Sequence, residues 1–210
     1  MKYLFLIAAL ISAASQIDAA VVNVTLYYES LCIDCVEFIK YQMWPTYQSL
    51  GDHLKLDFVP FGKASWTENP WSIRCQNGDR ECHGNAIQAC ALERYKKPEM
   101  QVKFVSCVMT ERQPDKAGKT CADRLGYSYE GIEECALGQE GRQLHMKHGK
   151  RTKGFRPVIT FIPTIAFNDV YNSKDQQMSM YQFKYLVCSK FPPGEKPPGC
   201  RNVVDAPDAE

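Results

Sequence analysis

Residues 21–35 read VVNVTLYYESLCIDC, and the reading of this stretch decides the fold. From Val21 to Tyr28 apolar and polar positions alternate and β-branched residues recur, which predicts a strand packed on one face. The strand ends at Glu29-Ser30, just before Cys32. From Cys35 onward Val36, Ile39, Met43, Tyr47 and Leu50 recur at helical spacing, with Pro45 expected to kink or shorten the helix. Cys32 is thereby placed at a helix N-terminus. Leu54, Leu56 and Phe58 alternate again before Pro60-Phe61-Gly62, giving a second strand and a β-α-β unit suited to a parallel sheet.

Further along, residues 64–155 change character. They hold six of the ten cysteines, the breaks Asn69-Pro70 and Gln113-Pro114, and helical stretches near 82–96, 99–110 and 131–148. This reads as a helical insertion cross-linked by disulfides. Strand character returns in Val158–Phe161 and Thr164–Phe167, Asn168-Asp169 marks a turn into Val170-Tyr171, and Met180–Lys190 predicts a last helix. Beyond Phe191 the chain is rich in Pro and Gly and ends in an acidic stretch expected to be flexible. The expected organisation is one α/β domain over 21–200, a thioredoxin-like core interrupted by the insertion at about 64–155, with a tail over 201–210.

The first 20 residues have the pattern of a secretory signal peptide: Lys2, an apolar run from Tyr3 to about Ala14, then small residues through Ala20. That run is too short to span a bilayer, and no later run of comparable length lacks charge, so no transmembrane anchor is expected. Ten cysteines behind such a segment point to an oxidising compartment, the lumen of the secretory pathway or the exterior. With 25 Lys and Arg against 24 Asp and Glu, the chain lacks the basic field that nucleic acid requires. Asn23-Val24-Thr25 makes Asn23 a candidate for N-glycosylation, although it falls on the first strand, where a paired backbone is a poor acceptor.

A C-x-x-C pair by itself serves zinc sites, structural bridges and redox centres alike. Zinc needs a second ligand pair, and the other cysteines stand seven or more residues apart without one, so no metal is expected. At a helix N-terminus, free backbone N–H groups and the helix dipole favour a thiolate at Cys32. Cys35, one turn on, can close a disulfide. In folds of this kind a cis-proline loop opens a late strand against the C-x-x-C helix, and Ile162-Pro163-Thr164 matches it, with Ile162 and Pro163 as the docking edge for a substrate's extended segment. The implied chemistry is attack by Cys32 on a substrate disulfide and resolution by Cys35, with an external small thiol as reductant and no prosthetic cofactor. At pH 5 an ordinary thiol is ionised to only about one part in 3,000, and a helix dipole alone does not close that gap. Asp34 beside the sulfur would raise its pKa and repel less once protonated, a reading that favours acid operation.

A second constellation runs Cys75-Gln76-Asn77-Gly78-Asp79-Arg80-Glu81-Cys82-His83-Gly84-Asn85, with Cys90 five residues on. It resembles the signature of the gamma-interferon-inducible lysosomal thiol reductase family: Cys-Gln-His-Gly, two residues, Glu-Cys, two residues, Asn, four residues, Cys. Only Asn77, where the family has His, departs. The early C-x-x-C, the cysteine-rich insertion, the late Ile162-Pro163-Thr164 and the C-terminal cysteines extend the resemblance over nearly the whole chain. It implies a disulfide reductase of unfolded proteins at acidic pH in endosomes and lysosomes, acting in protein degradation and immune defence. Within the signature Cys75, Cys82 and Cys90 are expected as bridge partners, with Gln76, Gly78, Glu81 and Asn85 shaping the turn and helix start. The eight cysteines outside Cys32 and Cys35 allow about 105 pairings, which stay open.

Two other classes remain. A thiol oxidase or isomerase would use the same fold, since direction depends on potential and reductant supply. A secreted disulfide-rich binding protein would use the insertion as its module, with the C-x-x-C vestigial. His145 and His148 are expected at the surface, and the basic run from His145 to Lys153 as a solvated helix end. Trp44, Trp66 and Trp71 are expected to cover core and insertion, with Trp66 and Trp71 able to line a substrate groove. Cys200 can pair within the chain or across a dimer, leaving monomer and disulfide-linked dimer both open.

Overall fold

The computed structural model describes residues 20–201 and 203. The predicted signal peptide, Ala20 excepted, and nearly all of the acidic tail lie outside the described residues. Strand β1 (Val22–Tyr28) is central in a three-stranded sheet. It pairs in parallel with β2 (Leu54–Pro60), from Val22 opposite Leu54 to Tyr28 opposite Pro60. Its other edge pairs antiparallel with Thr164–Phe167, from Val24 opposite Phe167 to Tyr27 opposite Thr164. The core lies on one face of this sheet, where Val24, Leu26, Phe58 and Ile165 meet Phe38, Ile39, Met43, Phe183 and Leu186.

The helix after Cys32 is broken in the place expected from Pro45, by a widened turn. Helix α1 (Ile33–Phe38) passes through a π-turn (Ile39–Met43) into α2 (Trp44–Leu50). Pro45 has no N–H to offer the carbonyl one turn back, and the Trp44 N–H bonds instead to Ile39 O, five residues earlier.

The insertion opens with a hairpin, β3 (Ser65–Glu68) and β4 (Trp71–Arg74), joined across Asn69-Pro70. There follow α3 (Asp79–Arg94), α4 (Pro98–Thr110), α5 (Gly118–Leu125), α6 (Ile132–Leu137) and α7 (Gln139–Gly154). Ile87, Phe104, Val108, Ala122 and Ile132 give it a separate core. Disulfides Cys90–Cys135 and Cys107–Cys121 tie α3 to α6 and α4 to α5. With 45 residues between its ends, Cys90–Cys135 restricts the unfolded chain by about 4 kcal/mol on a chain-entropy argument. Cys75–Cys82 closes the signature loop, and Cys188–Cys200 pins the C-terminal segment within the chain.

Several expectations are corrected. Val158–Phe161 forms no strand: the free edge of β1 is already taken by Thr164–Phe167, here β5, and Val158 and Phe161 face solvent. The last helix, α8 (Ser173–Ser189), starts earlier than Met180 because Asn172 caps it, its side chain accepting from Lys174 N and Asp175 N. The turn at Asn168-Asp169 has both residues at positive φ, and Val170 returns to Phe167 as a single bridge rather than a strand.

His145 and His148 are buried, not on the surface. They share one face of α7 with Gly141, Gly149 and Thr152, and that face packs on α3 and β2. At Gly149 a Cβ would come within 2.7 Å of Phe61 and 2.9 Å of Trp66, so the glycine lets both rings close over the helix. Burial lowers the His145 pKa to about 3, helped by the charge of His148, and that of His148 to about 4. His145 Nε2 and His148 Nδ1 have no hydrogen-bond partner among the described residues. The basic side chains of the run lie off this face, where Arg151 makes a bidentate ion pair with Asp57. Trp66 packs on Phe61 at 5.5 Å, Trp71 lies beneath Arg142 at 5.0 Å, and Trp44 stacks on Tyr47.

Candidate active site

Cys32 caps α1. Its backbone is extended (φ −69°, ψ 118°), its N–H bonds to Glu29 O at 3.3 Å, and its sulfur accepts from Cys35 N at 3.2 Å. Both cysteines are free thiols, and Cys35 is wholly buried. The Cys32 pKa is lowered, first by a hydrogen bond from the Cys35 thiol and then by the Cys35 N–H. Burial and the Asp34 and Glu81 carboxylates oppose that shift. Cys35 is pushed well above the ordinary thiol range, chiefly by burial and then by its bond to the Cys32 sulfur. The pair is thus split into one sulfur disposed to ionise and one disposed to keep its proton.

The Ile162–Pro163 peptide is cis, and the Ile162 carbonyl stands 3.7 Å from Cys32 Sγ, where the thiol donates to it. Gln176 on α8 braces this loop. Its Nε2 donates to Pro163 O at 3.0 Å and its Oε1 accepts from Ile165 N at 2.8 Å. Nothing in the sequence reading singled out Gln176, since one glutamine in an amphipathic helix carries no local signal.

The signature segment folds directly against the loop that carries Cys32. Asn85 Oδ1 accepts from Ser30 N at 2.7 Å, and Glu81 Oε1 accepts from Leu31 N at 3.2 Å. Glu81 also holds its own turn, with Asn77 Nδ2 donating at 2.9 Å and Asn77 N at 2.5 Å. Gly84 admits this approach, because a Cβ there would lie 2.5 Å from Ser30 Oγ. Gly78 takes φ 79° at the head of α3, a conformation glycine adopts without strain. The Gln76 contribution is its backbone N–H, 3.4 Å from Glu29 Oε1. Glu81 and Asn85 therefore do more than shape a turn: they fasten the thiol loop. Cys90 is apart from this cluster, in the insertion core, and Asn23 lies at the other end of β1, bonded through Nδ2 to Asn168 Oδ1.

Glu29 was not anticipated. It is fully buried, accepts from Lys63 N at 3.1 Å and from Gln76 N, and faces Glu81. Burial, with repulsion from the Glu81 carboxylate, pushes its pKa up to about 8. Gly62, at φ 51°, makes room: a Cβ there would meet Glu29 Cγ at 2.8 Å and Ile162 Cδ1 at 2.9 Å. No helix among the described residues is long and apolar enough to cross a membrane.

Comparison with known proteins agrees with this geometry. The family model described as gamma interferon inducible lysosomal thiol reductase (GILT) matches residues 23–125. A gamma-interferon-inducible lysosomal thiol reductase-like protein of Anopheles gambiae is 33% identical over 187 residues, spanning 82% of this chain and 78% of that protein. A gamma-interferon-inducible lysosomal thiol reductase of Carassius auratus is 31% identical over 192 residues, spanning 88% and 74%. Among solved structures, Chlamydia trachomatis DsbA superposes with a TM-score of 0.53 at 15% identity, covering 80% of this chain and 87% of that one, a likeness of fold. The core is thioredoxin-like, with a disulfide-cross-linked helical insertion.

Proposed function

The chain belongs to the gamma-interferon-inducible lysosomal thiol reductase family and is a thiol oxidoreductase, and from that premise we propose that it reduces disulfides of unfolded proteins with Cys32 as nucleophile and Cys35 as resolver. The observation that carries this reading is the split pair: the Cys32 sulfur accepts from Cys35 N at 3.2 Å while Cys35 is buried as a thiol. The Cys32 thiolate attacks one sulfur of a substrate disulfide. A Cys32–substrate bond forms, and the other substrate sulfur leaves as a thiolate that takes up a proton. Cys35 then loses its proton and attacks the Cys32 sulfur, releasing the second substrate thiol and leaving a Cys32–Cys35 disulfide. Two molecules of a small thiol return the pair to the dithiol and are themselves oxidised to a disulfide. Ile162 supplies a carbonyl beside the reacting sulfur, positioned to pair with a substrate backbone, and Pro163 fixes that edge.

The compartment proposed is acidic, endosomal or lysosomal, or extracellular, reached through a signal peptide over residues 1–20 that precedes a domain over 21–200. Four intrachain disulfides support an oxidising environment. The roles in protein degradation and immune defence belong to the same proposal. Asn23 as a glycan site has weaker support, because its strand is paired on both edges and Thr25 is buried with its hydroxyl bonded to Asp169.

One observation favours a second direction of reaction. A stabilised Cys32 thiolate stabilises the dithiol over the disulfide, which suits an oxidase or isomerase at neutral pH. The deciding experiment is reduction of a denatured disulfide protein by the mature chain with a small thiol donor, scanned from about pH 4 to pH 8. Reduction peaking in acid and lost in Cys32→Ser is the expected result. Net oxidation of a dithiol substrate without reduction at any pH would replace it with the second reading.

A further inference from the structure

Next to the loop that carries Cys32, the surface opens into a groove of about 360 Å³ between α1 with its π-turn and the segment following α4. Its apolar lining is Leu31, Ile33, Val36, Tyr41 and Pro114. We infer that this groove is the subsite for an apolar side chain of the substrate, one or two residues from the cysteine under attack. The inference rests on the reading that Cys32 attacks substrate disulfides.

The placement follows from the chain. Leu31 and Ile33 are the immediate neighbours of Cys32 in the chain, so two of the groove's lining residues flank the nucleophile. An extended substrate advances about 3.3 Å per residue, which brings the residues next to its cysteine over the groove once the sulfurs meet. Ile33 is 74% exposed and Tyr41 61% exposed, although the core beneath them is closed. Large apolar side chains held at that exposure around a reactive sulfur gain burial only when a partner covers them.

Charge on the rim narrows the occupant. Glu111 is held by Arg124 at 2.6 Å, and Lys40 lies over the Tyr41 ring at 5.0 Å. Glu37, Lys40 and Arg112 complete the rim with both signs present, so no strong field selects an acidic or basic peptide. What the groove selects is apolar surface, and the volume suits one or two side chains rather than a folded domain. Apolar residues beside a disulfide are covered in a folded protein and uncovered on unfolding. The groove therefore makes unfolding of the substrate a condition of its recognition at the same point where it is reduced.

The test uses two peptides, each carrying one cysteine joined by a disulfide to the same small thiol, the cysteine flanked by Leu in one and by Ser in the other. Both report on the same Cys32, so changes in thiol reactivity cancel in the ratio of their kcat/KM values. The expected ratio is about tenfold in favour of Leu, falling to about twofold or less in Tyr41→Asp and, independently, in Ile33→Asn. Tyr181→Asp, a change at an exposed apolar residue on α8, is expected to keep the tenfold preference. Turnover of both peptides with a ratio near one, or a preference unchanged in both groove variants, overturns the inference and leaves the reductase reading standing. Turnover of neither peptide overturns both. A concentration-dependent dimer that Tyr41→Asp abolishes would assign the groove to a second copy of the chain, and overturns it as well.

Discussion

Two buried pairs of titratable side chains, one under the thiol loop and one inside the insertion, respond to acid in opposite directions. Glu29 faces Glu81 beneath Ser30 and Leu31, and its pKa is raised to about 8 by burial and repulsion. An acid with a raised folded-state pKa contributes stability that is full below its ordinary value near 4.5 and is lost as pH rises towards 8. His145 and His148 in α7 have pKa values lowered to about 3 and 4 by burial. Their contribution is full above 6.5 and is lost as pH falls from there towards those values. Between pH 8 and pH 5 Glu29 gains about 4 kcal/mol, while the two imidazoles lose about 2 kcal/mol each. The sums nearly cancel. These three groups together therefore change stability little between pH 8 and pH 5, while taken separately they do not: acid favours the loop bearing Cys32 and disfavours the insertion helix behind it.

The largest effect that would break this balance is expected from Glu29→Gln. Urea denaturation of the parent should give similar stability at pH 5 and pH 8, whereas the variant should lose about 4 kcal/mol on going from pH 8 to pH 5. A glutamine has one oxygen where Glu29 has two, one facing Lys63 N and the other Gln76 N, so a cost present at both pH values is expected in addition. The slope with pH is therefore the readout, and an unchanged slope would remove Glu29 from the account. Half that effect, with the other sign, is expected from His145→Met. That exchange keeps a side chain beside Phe61 and deletes a group that must stay neutral, so it should gain about 2 kcal/mol at pH 5 relative to pH 8. Equal changes at the two pH values would mean that packing alone decides the site.

These two pairs also mark where the sequence was legible and where it was not. Strand, loop and helix around Cys32 were readable because each carries a local signal: alternation in Val21–Tyr28, the apolar period after Cys35, and Pro45 at the break. Ile162-Pro163 was readable through its position before a late strand. The face of α7 was not, because the positions a helix normally fills with Leu or Ile hold Gly141, His145, His148 and Thr152, and a hydrophobicity pattern passes over them. A glutamate at a strand end looks like any solvated loop acid. Glu29 becomes distinctive only when the insertion brings Glu81 and Asn85 against its loop, a contact that no local pattern encodes. The resemblance found the signature residues but suggested only a turn for them. Their bonds to Ser30 and Leu31 depend on the docking that Gly84 allows. The hairpin β3–β4 was hidden in a similar way, since Asn69-Pro70 marked a break without saying what it joined.

The smallest effect concerns Asp34, the one charge inside the C-x-x-C that is open to solvent. Its carboxylate raises the Cys32 pKa, against the larger lowering by the Cys35 thiol and N–H. Asp34→Asn should therefore lower the Cys32 pKa further at low ionic strength, as read from thiolate absorbance in the ultraviolet. Because the carboxylate is exposed, about 1 M salt should erase most of the difference, while the bonds from Cys35 persist in both proteins. A pKa that does not move at low salt would make Asp34 a bystander and leave the acid response of the site to Glu29. A shift that survives high salt would instead mean that Asp34 acts through the helix start rather than by its field.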